Sequence, residues 1–373
     1  MTTTAVTKPL EPRSPQGNSL TSGQLPRLFE LYALIGSLVV VGGAFMLMGF
    51  NLIGDGLVGW LVVTAIVYLI AVGVFASIVE NRRRATDRVV RGIVIVAFLL
   101  AFIPLVSTLG TVVVRGIGAL NWNFISQSTG SHFDPSTLVV TTTQGALQSI
   151  VGTLEVTGIA ALMSVPIGLL TAIYLVEYAR PTQWMARTVT LLVDVMTGIP
   201  SIVAGLFAFS LFTIIVGPKA FSGFSASVAL SVLMIPIVVR SSEEMLKLVS
   251  SELREASYAL GVTKFATITR IVLPTAVAGL VTGIMLAIAR IIGETAPIFI
   301  AASFTNDLNT NPFNGPISTL AVGAYTLYKF PGTDIPASVN AAWGNALLLV
   351  ILVVILNLIA RIVARVFAPK GLR

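Results

Sequence analysis

The chain has no cysteine and a single histidine, His132, in 373 residues. Disulfides, thiolate nucleophiles and cysteine-held metals are therefore excluded, and one imidazole is too few for a zinc centre. No catalytic constellation and no metal site are expected. Charge is scarce as well: only 10% of residues are Asp, Glu, Lys or Arg, against about 25% in a soluble domain. The pattern G-x-x-x-x-G-K-[ST], which cradles nucleotide phosphates, does not occur. A P-loop nucleotide site is therefore excluded, and no cofactor is expected in this chain.

What is present is apolar sequence. Hydrophobic residues make up 55% of the chain and the mean hydropathy is +0.93. Apolar runs of bilayer-crossing length, about 20 residues, recur at 28–50, 57–79, 92–114, 149–176, 189–216, 224–239, 275–302 and 342–364. The fold class is an all-α polytopic membrane protein with about eight transmembrane helices. Residues 1–27, rich in Thr, Ser and Pro without an apolar core, read as a disordered tail.

The net charge of +7 is read first as topology. If the N-terminus is inside, the inner loops collect the arginine run Arg82, Arg83, Arg84, Arg88 and Arg91, then Arg180 and Arg187, then Arg240, Lys247, Arg254, Lys264 and Arg270. Outer loops hold only Arg115, Lys219 and Lys329, and Arg290 lies inside a span. The expectation is a multi-pass protein of the cytoplasmic membrane with both termini cytoplasmic. The basic run at 82–91 reads as an anchor on membrane lipid, and nucleic acid is not an expected partner.

Three apolar stretches carry charge or helix breakers. In the seventh span, Gly279, Gly283, Ala287, Arg290 and Glu294 follow one another at helical spacing. Small residues admit a neighbouring helix, and Arg290 with Glu294 at i,i+4 is expected to pair. Two readings stay open: a structural ion pair, or a guanidinium whose donor fork lines the route of an anion. In the sixth span, Arg240 follows Pro236 and precedes Glu243 and Glu244, forming either a gate or an interfacial anchor. In the fifth, Pro200 favours a kink between Asp194 and Gly205. Glu155 in the fourth span has no evident sequence partner.

The segment Ser251–Pro274, SELREASYALGVTKFATITRIVLP, is the longest charged interruption in the second half. Gly261 and Pro274 predict two short helices bent at the glycine before the chain re-enters the membrane. Glu255-Ala256-Ser257, then Gly261, then Ile271-Val272-Leu273-Pro274 resembles the EAA motif of the binding-protein-dependent ABC importer permeases. The stretches DVMTGIPSIVAGLF at 194–207 and RIIGETAP at 290–297 resemble the A-subunit branch of the phosphate importers (PstA).

That resemblance implies a type I importer permease core at 149–367, preceded by a first core helix and outer loop at 92–148. The helical hairpin and basic loop at 28–91 would be an addition to it. It further implies inward transport of inorganic phosphate, or of another oxyanion such as molybdate, sulfate or phosphonate. The implied partners are a homologous permease, a dimer of ATPase subunits and an extracytoplasmic phosphate-binding protein. Glu255, Ala256, Gly261, Ile271, Leu273 and Pro274 would form the ATPase-coupling segment, Arg290, Glu294 and Arg240 the substrate path, and Pro200 and Pro236 kinks or gates. A non-transporting membrane sensor or enzyme is the competing class.

Overall fold

A computed structural model describes residues 25–26, 28–49, 57–80, 82–134, 139–180, 182–218, 220–332 and 334–367. Most of the tail at 1–27, the turn at 51–56, Lys219 and residues 368–373 lie outside the described residues. The chain divides into two units, Met1–Thr108 and Leu109–Arg373.

In the first unit, helices α1 (Phe29–Leu47) and α2 (Leu57–Val79) pack on each other. Gly42 admits the ring of Trp60 between them: a Cβ there would stand 3.2 Å from the indole nitrogen. Arg88 ties the ends of the hairpin together, reaching Glu80 at 2.7 Å and Glu30 at 3.1 Å. The Glu80 side chain is almost wholly buried, and that ion pair and the Leu25 amide help satisfy it.

The basic stretch expected as a loop is instead helical, since α3 runs unbroken from Arg82 to Ile117. Arginine is a good helix former, and Arg91 pairs one turn back with Asp87 at 3.0 Å.

The second unit is organised on α8 (Gly223–Lys247), which packs against α5 (Leu147–Ile173), α6 (Trp184–Thr197), α7 (Ser201–Val216), α11 (Leu273–Ile291) and α12 (Ala296–Ala302). Small residues let the backbones close: Ser227 donates to the carbonyls of Val156 and Gly223, and Gly168 takes the side chain of Val238. Around them Val156, Leu230, Met234, Val238, Ile291 and Ile298 form the core. The stripe Gly279, Gly283 and Ala287 faces protein, as expected: Gly279 lies against Met245, Gly283 against Ser241, and Ala287 is buried.

Among the described residues, seven helices are long and apolar enough to span a membrane, or eight if one bent pair counts as a single span. The protein is thus all-α and polytopic in its membrane part. The bent pair is α6 and α7, which meet at 104° where one kinked helix was expected. Pro200 causes the break. It has no amide donor, disfavours helical backbone at Ile199, and is itself extended at φ −61° and ψ 137°.

The seventh span is also shorter than its apolar run, because α11 stops at Ile291 and α12 begins at Ala296. Conversely, α8 passes through Pro236 and continues to Lys247, held by ion pairs of Glu243 with Arg240 and Lys247. In the segment at 115–144, read as an outer polar loop, α4 (Trp122–Ser126) precedes an antiparallel ribbon of β1 (Gly130–Asp134) and β2 (Val139–Thr143). His132 in β1 is paired in register with Thr141. The ribbon went unpredicted, although the β-branched run Val139–Thr143 suits a strand. The chain closes with α13 (Leu320–Lys329) and α14 (Ile335–Phe367).

Candidate functional site

The segment Ser251–Pro274 is bent at Gly261, as expected. Helix α9 (Ser251–Ala259) ends at Leu260, Gly261 turns the chain at φ +76°, and α10 (Lys264–Thr267) passes through a π-helical turn, Ile268–Val272, into α11. Ser257 and Thr267 hydrogen-bond across the bend at 2.8 Å, and Thr263 caps α10. Pro274 sits at the second position of α11, directly after the π-helical turn and inside one continuous helical run from Lys264 to Ile291.

Glu255 and Ala256 are exposed, whereas Ile271 and Leu273 are half-buried; Leu273 packs on the cluster of Ala172, Leu246, Val272 and Ala276. The segment therefore has an outward part and a part rooted in the bundle. Leu253, Leu260 and Phe265 add exposed apolar surface.

Sequence reading missed what fastens this segment. The Arg254 guanidinium donates twice to Oε1 of Glu177, at 3.1 Å from Nε and 2.9 Å from Nη2. It also donates to the carbonyls of Leu246, Val249 and Ser250, which lie at and just beyond the end of α8. Glu177 lies in a π-helical turn, Tyr174–Tyr178, that continues α5, and the ammonium of Lys264 lies over the Tyr178 ring at 5.1 Å. Glu177 and Arg254 are 77 residues apart, beyond any local pattern; the only available signal was an acidic residue at the end of an apolar run.

The arginine at the end of the seventh span occupies a different setting. Arg290 ends α11 and lines a cavity of about 180 Å³, several water volumes at about 30 Å³ each. Its walls are Met196, Thr197 and Ile199 before the break, Ser201 after it, Leu233, Pro236 and Ile237 of α8, and Glu294. The expected i,i+4 pair of Arg290 with Glu294 is not formed. The helix has ended by Ile291, and Glu294 is drawn into a tight turn in which its backbone N–H donates to the Ile291 carbonyl at 3.0 Å. Both residues still face one cavity, and among the described residues neither makes an ion pair or side-chain hydrogen bond. The N-terminus of α7, with its free amides and positive dipole end, starts at that same break.

Arg240 bridges α8 to α6 by pairing with Asp194, and pairs with Glu243 at 2.9 Å. Glu244, expected to share this cluster, turns instead to a cleft beside Gly279 and Gly283. A cavity of about 390 Å³, with Arg180, Arg187, Asp194 and Glu243 in its lining, adjoins the bridge. Pro236 remains inside α8 and Pro200 stands at the α6–α7 break. Oε2 of Glu155 is buried without a hydrogen-bond partner among the described residues.

Residues 164–371 match the family model described as binding-protein-dependent transport system inner membrane component. The chain belongs to this permease family. The match covers the bent segment Ser251–Pro274, Arg240 and Arg290, while α1 and α2 fall outside it.

Among curated relatives, the phosphate transport system permease protein PstA 1 of Mycobacterium tuberculosis (strain CDC 1551 / Oshkosh) is 43% identical over 271 residues, 72% of this chain and 86% of the relative. PstA of Mycobacterium leprae is 41% identical over 73% of this chain and 86% of its own length. PstA of Yersinia pestis is 34% identical over 74% and 91%. Among solved structures, an inward-facing MetNI methionine ABC transporter aligns at 25% identity and a TM-score of 0.48, over 58% of this chain and 94% of that one. The permease is a multi-pass membrane protein and an importer subunit homologous to the PstA proteins.

Proposed function

We propose that this permease moves inorganic phosphate into the cell, with Arg290 as the cation that the anion meets midway. The observation that carries the reading is an arginine without a partner among the described residues, facing a cavity at a helix break. A guanidinium offers a planar fork of donors matched to phosphate oxygens, and an unpaired charge at membrane depth marks a pathway. Glu294, in the same cavity, limits how tightly an anion is held, so that it can leave. The identity to PstA proteins supports phosphate over other oxyanions.

Residues 149–367 form the transport core in this reading, and 28–91 an accessory hairpin. Both termini face the cytoplasm, following the distribution of positive charge. Glu255, Ala256 and Gly261 present the coupling segment to a dimer of ATPase subunits, which bind ATP and magnesium. Ile271, Leu273 and Pro274 root that segment in α11. A homologous permease completes the channel and an extracytoplasmic binding protein delivers the anion. Arg240, tied to Asp194, stands on the inner side of the path, and Pro200 and Pro236 shape the moving wall of the cavity.

Uptake of radiolabelled phosphate by the reconstituted transporter, challenged with unlabelled phosphate, sulfate, molybdate and a phosphonate, tests the substrate. Competition by phosphate alone is expected. Stronger competition by another oxyanion would reassign it.

A further inference from the structure

The outward helix of the coupling segment has little holding it. Ser257 is the one buried residue of α9, and Glu252, Leu253, Glu255 and Ala256 are exposed. Arg254 is the exception: its side chain is only 17% exposed, and that of Glu177 only 5%.

One guanidinium thereby joins three elements. Its own helix is α9. Its carboxylate partner sits on the π turn that ends α5. Of its carbonyl partners, Val249 and Ser250 lie in the link to α9 and Leu246 in the last turn of α8, whose preceding turns carry Leu233, Pro236 and Ile237 of the Arg290 cavity wall. The π turn aims the carboxylate: one extra residue in a turn rotates the succeeding side chains by about 100° relative to α-helical winding. Here that turn leaves Glu177 buried and Tyr178 exposed beside Lys264.

We infer that Glu177 is a positioning residue that, through Arg254, makes the coupling segment, the end of α5 and the foot of α8 one mechanical body. Displacement of α9 is then delivered along α8 to the cavity and is not lost in bending of the loop. A neutral glutamine at 177 keeps the shape but leaves the Arg254 charge without its counter-ion in a largely buried site, where charges need partners. The inference rests on the proposed docking of this segment on an ATPase, and does not depend on which anion is carried.

Two readouts on the reconstituted transporter test it. The first is phosphate taken up per ATP hydrolysed. Glu177→Gln is expected to lower that ratio by about tenfold while hydrolysis stays within about twofold, as loss of one charge-assisted contact would give. Glu177→Asp, which keeps the charge, is expected to retain most of it. If Glu177→Gln does not reach the membrane, Arg254→Lys, which keeps the charge but loses the fork, is expected to give the same split.

The second readout needs no substrate. Because the chain lacks cysteine, spin labels at Leu260→Cys and Leu162→Cys, both exposed positions, report the distance from coupling segment to α5. One narrow distance unchanged by ATP is expected in the otherwise native protein, and an ATP-dependent or broadened distance with Glu177→Gln. A ratio and distance unaffected by Glu177→Gln would overturn the inference. So would uptake and hydrolysis falling together at constant ratio, the mark of a role in folding alone. Absence of phosphate uptake in the native complex would count against the phosphate reading, and the distance measurement would still decide this one.

Discussion

Arg254 and Arg290 are the same side chain in opposite circumstances. The first is held by a carboxylate and three carbonyls in a largely buried site. The second ends its helix with no partner among the described residues, although Glu294 lies in the same cavity. An arginine withdrawn from water must have its donors met by the protein, whereas Arg290 is exposed in the single chain. At Arg254 the protein meets them from three elements and gains a fixed joint. At Arg290 it leaves them open, which in the proposed function is where a passing anion completes the set. Arg240 falls between: paired to Asp194 and Glu243, yet 37% exposed.

The contrast can be broken first at the fixed end. Gly261 has open space where a Cβ would go, so only its φ of +76° constrains it. A β-branched residue is an outlier there, while asparagine tolerates the left-handed region. Gly261→Val is expected to cut uptake by up to about a hundredfold, since backbone strain of up to about 3 kcal/mol falls on the bend itself. Gly261→Asn is expected to retain most of it. Uptake assays at matched membrane amounts check the pair, and equal uptake by both variants would remove the bend from the coupling route.

The intermediate arginine should respond in proportion. Arg240→Gln loses a partly exposed bridge worth about 1 kcal/mol, so uptake is expected to change by about fivefold, with Asp194→Asn giving a similar change. A loss as deep as that at Gly261 would make the bridge a gate. The smallest effect is expected for Arg91→Ala, whose i,i+4 partner Asp87 is equally exposed. Thermal unfolding should show a loss of no more than about 0.5 kcal/mol.

The sequence disclosed the features that depend on local physics. Apolar run length located the spans, and the spacing from Glu255 to Pro274 located a bent pair of short helices. The small-residue stripe at Gly279 and Gly283 marked a helix contact. Local physics also explains two misreadings. Periodicity was carried through Gly293 and produced an Arg290–Glu294 helical pair, although the glycine and the proline four residues later are helix-ending signals. Hydropathy carried the fifth span through Pro200, because a 104° break leaves apolarity unchanged. The Glu177–Arg254 joint was illegible for another reason: it is a meeting of segments 77 residues apart, set by how α5, α8 and α9 pack.

The most direct test of the open arginine is phosphate uptake by Arg290→Gln in the assembled transporter, with ATP hydrolysis followed in the same vesicles. Loss of a charged hydrogen-bonding group, worth about 1.5–3 kcal/mol, predicts uptake reduced at least tenfold with the permease still in the membrane and hydrolysis maintained. Uptake equal to that of the native protein would contradict the account, and would make Arg290 a bystander in its cavity.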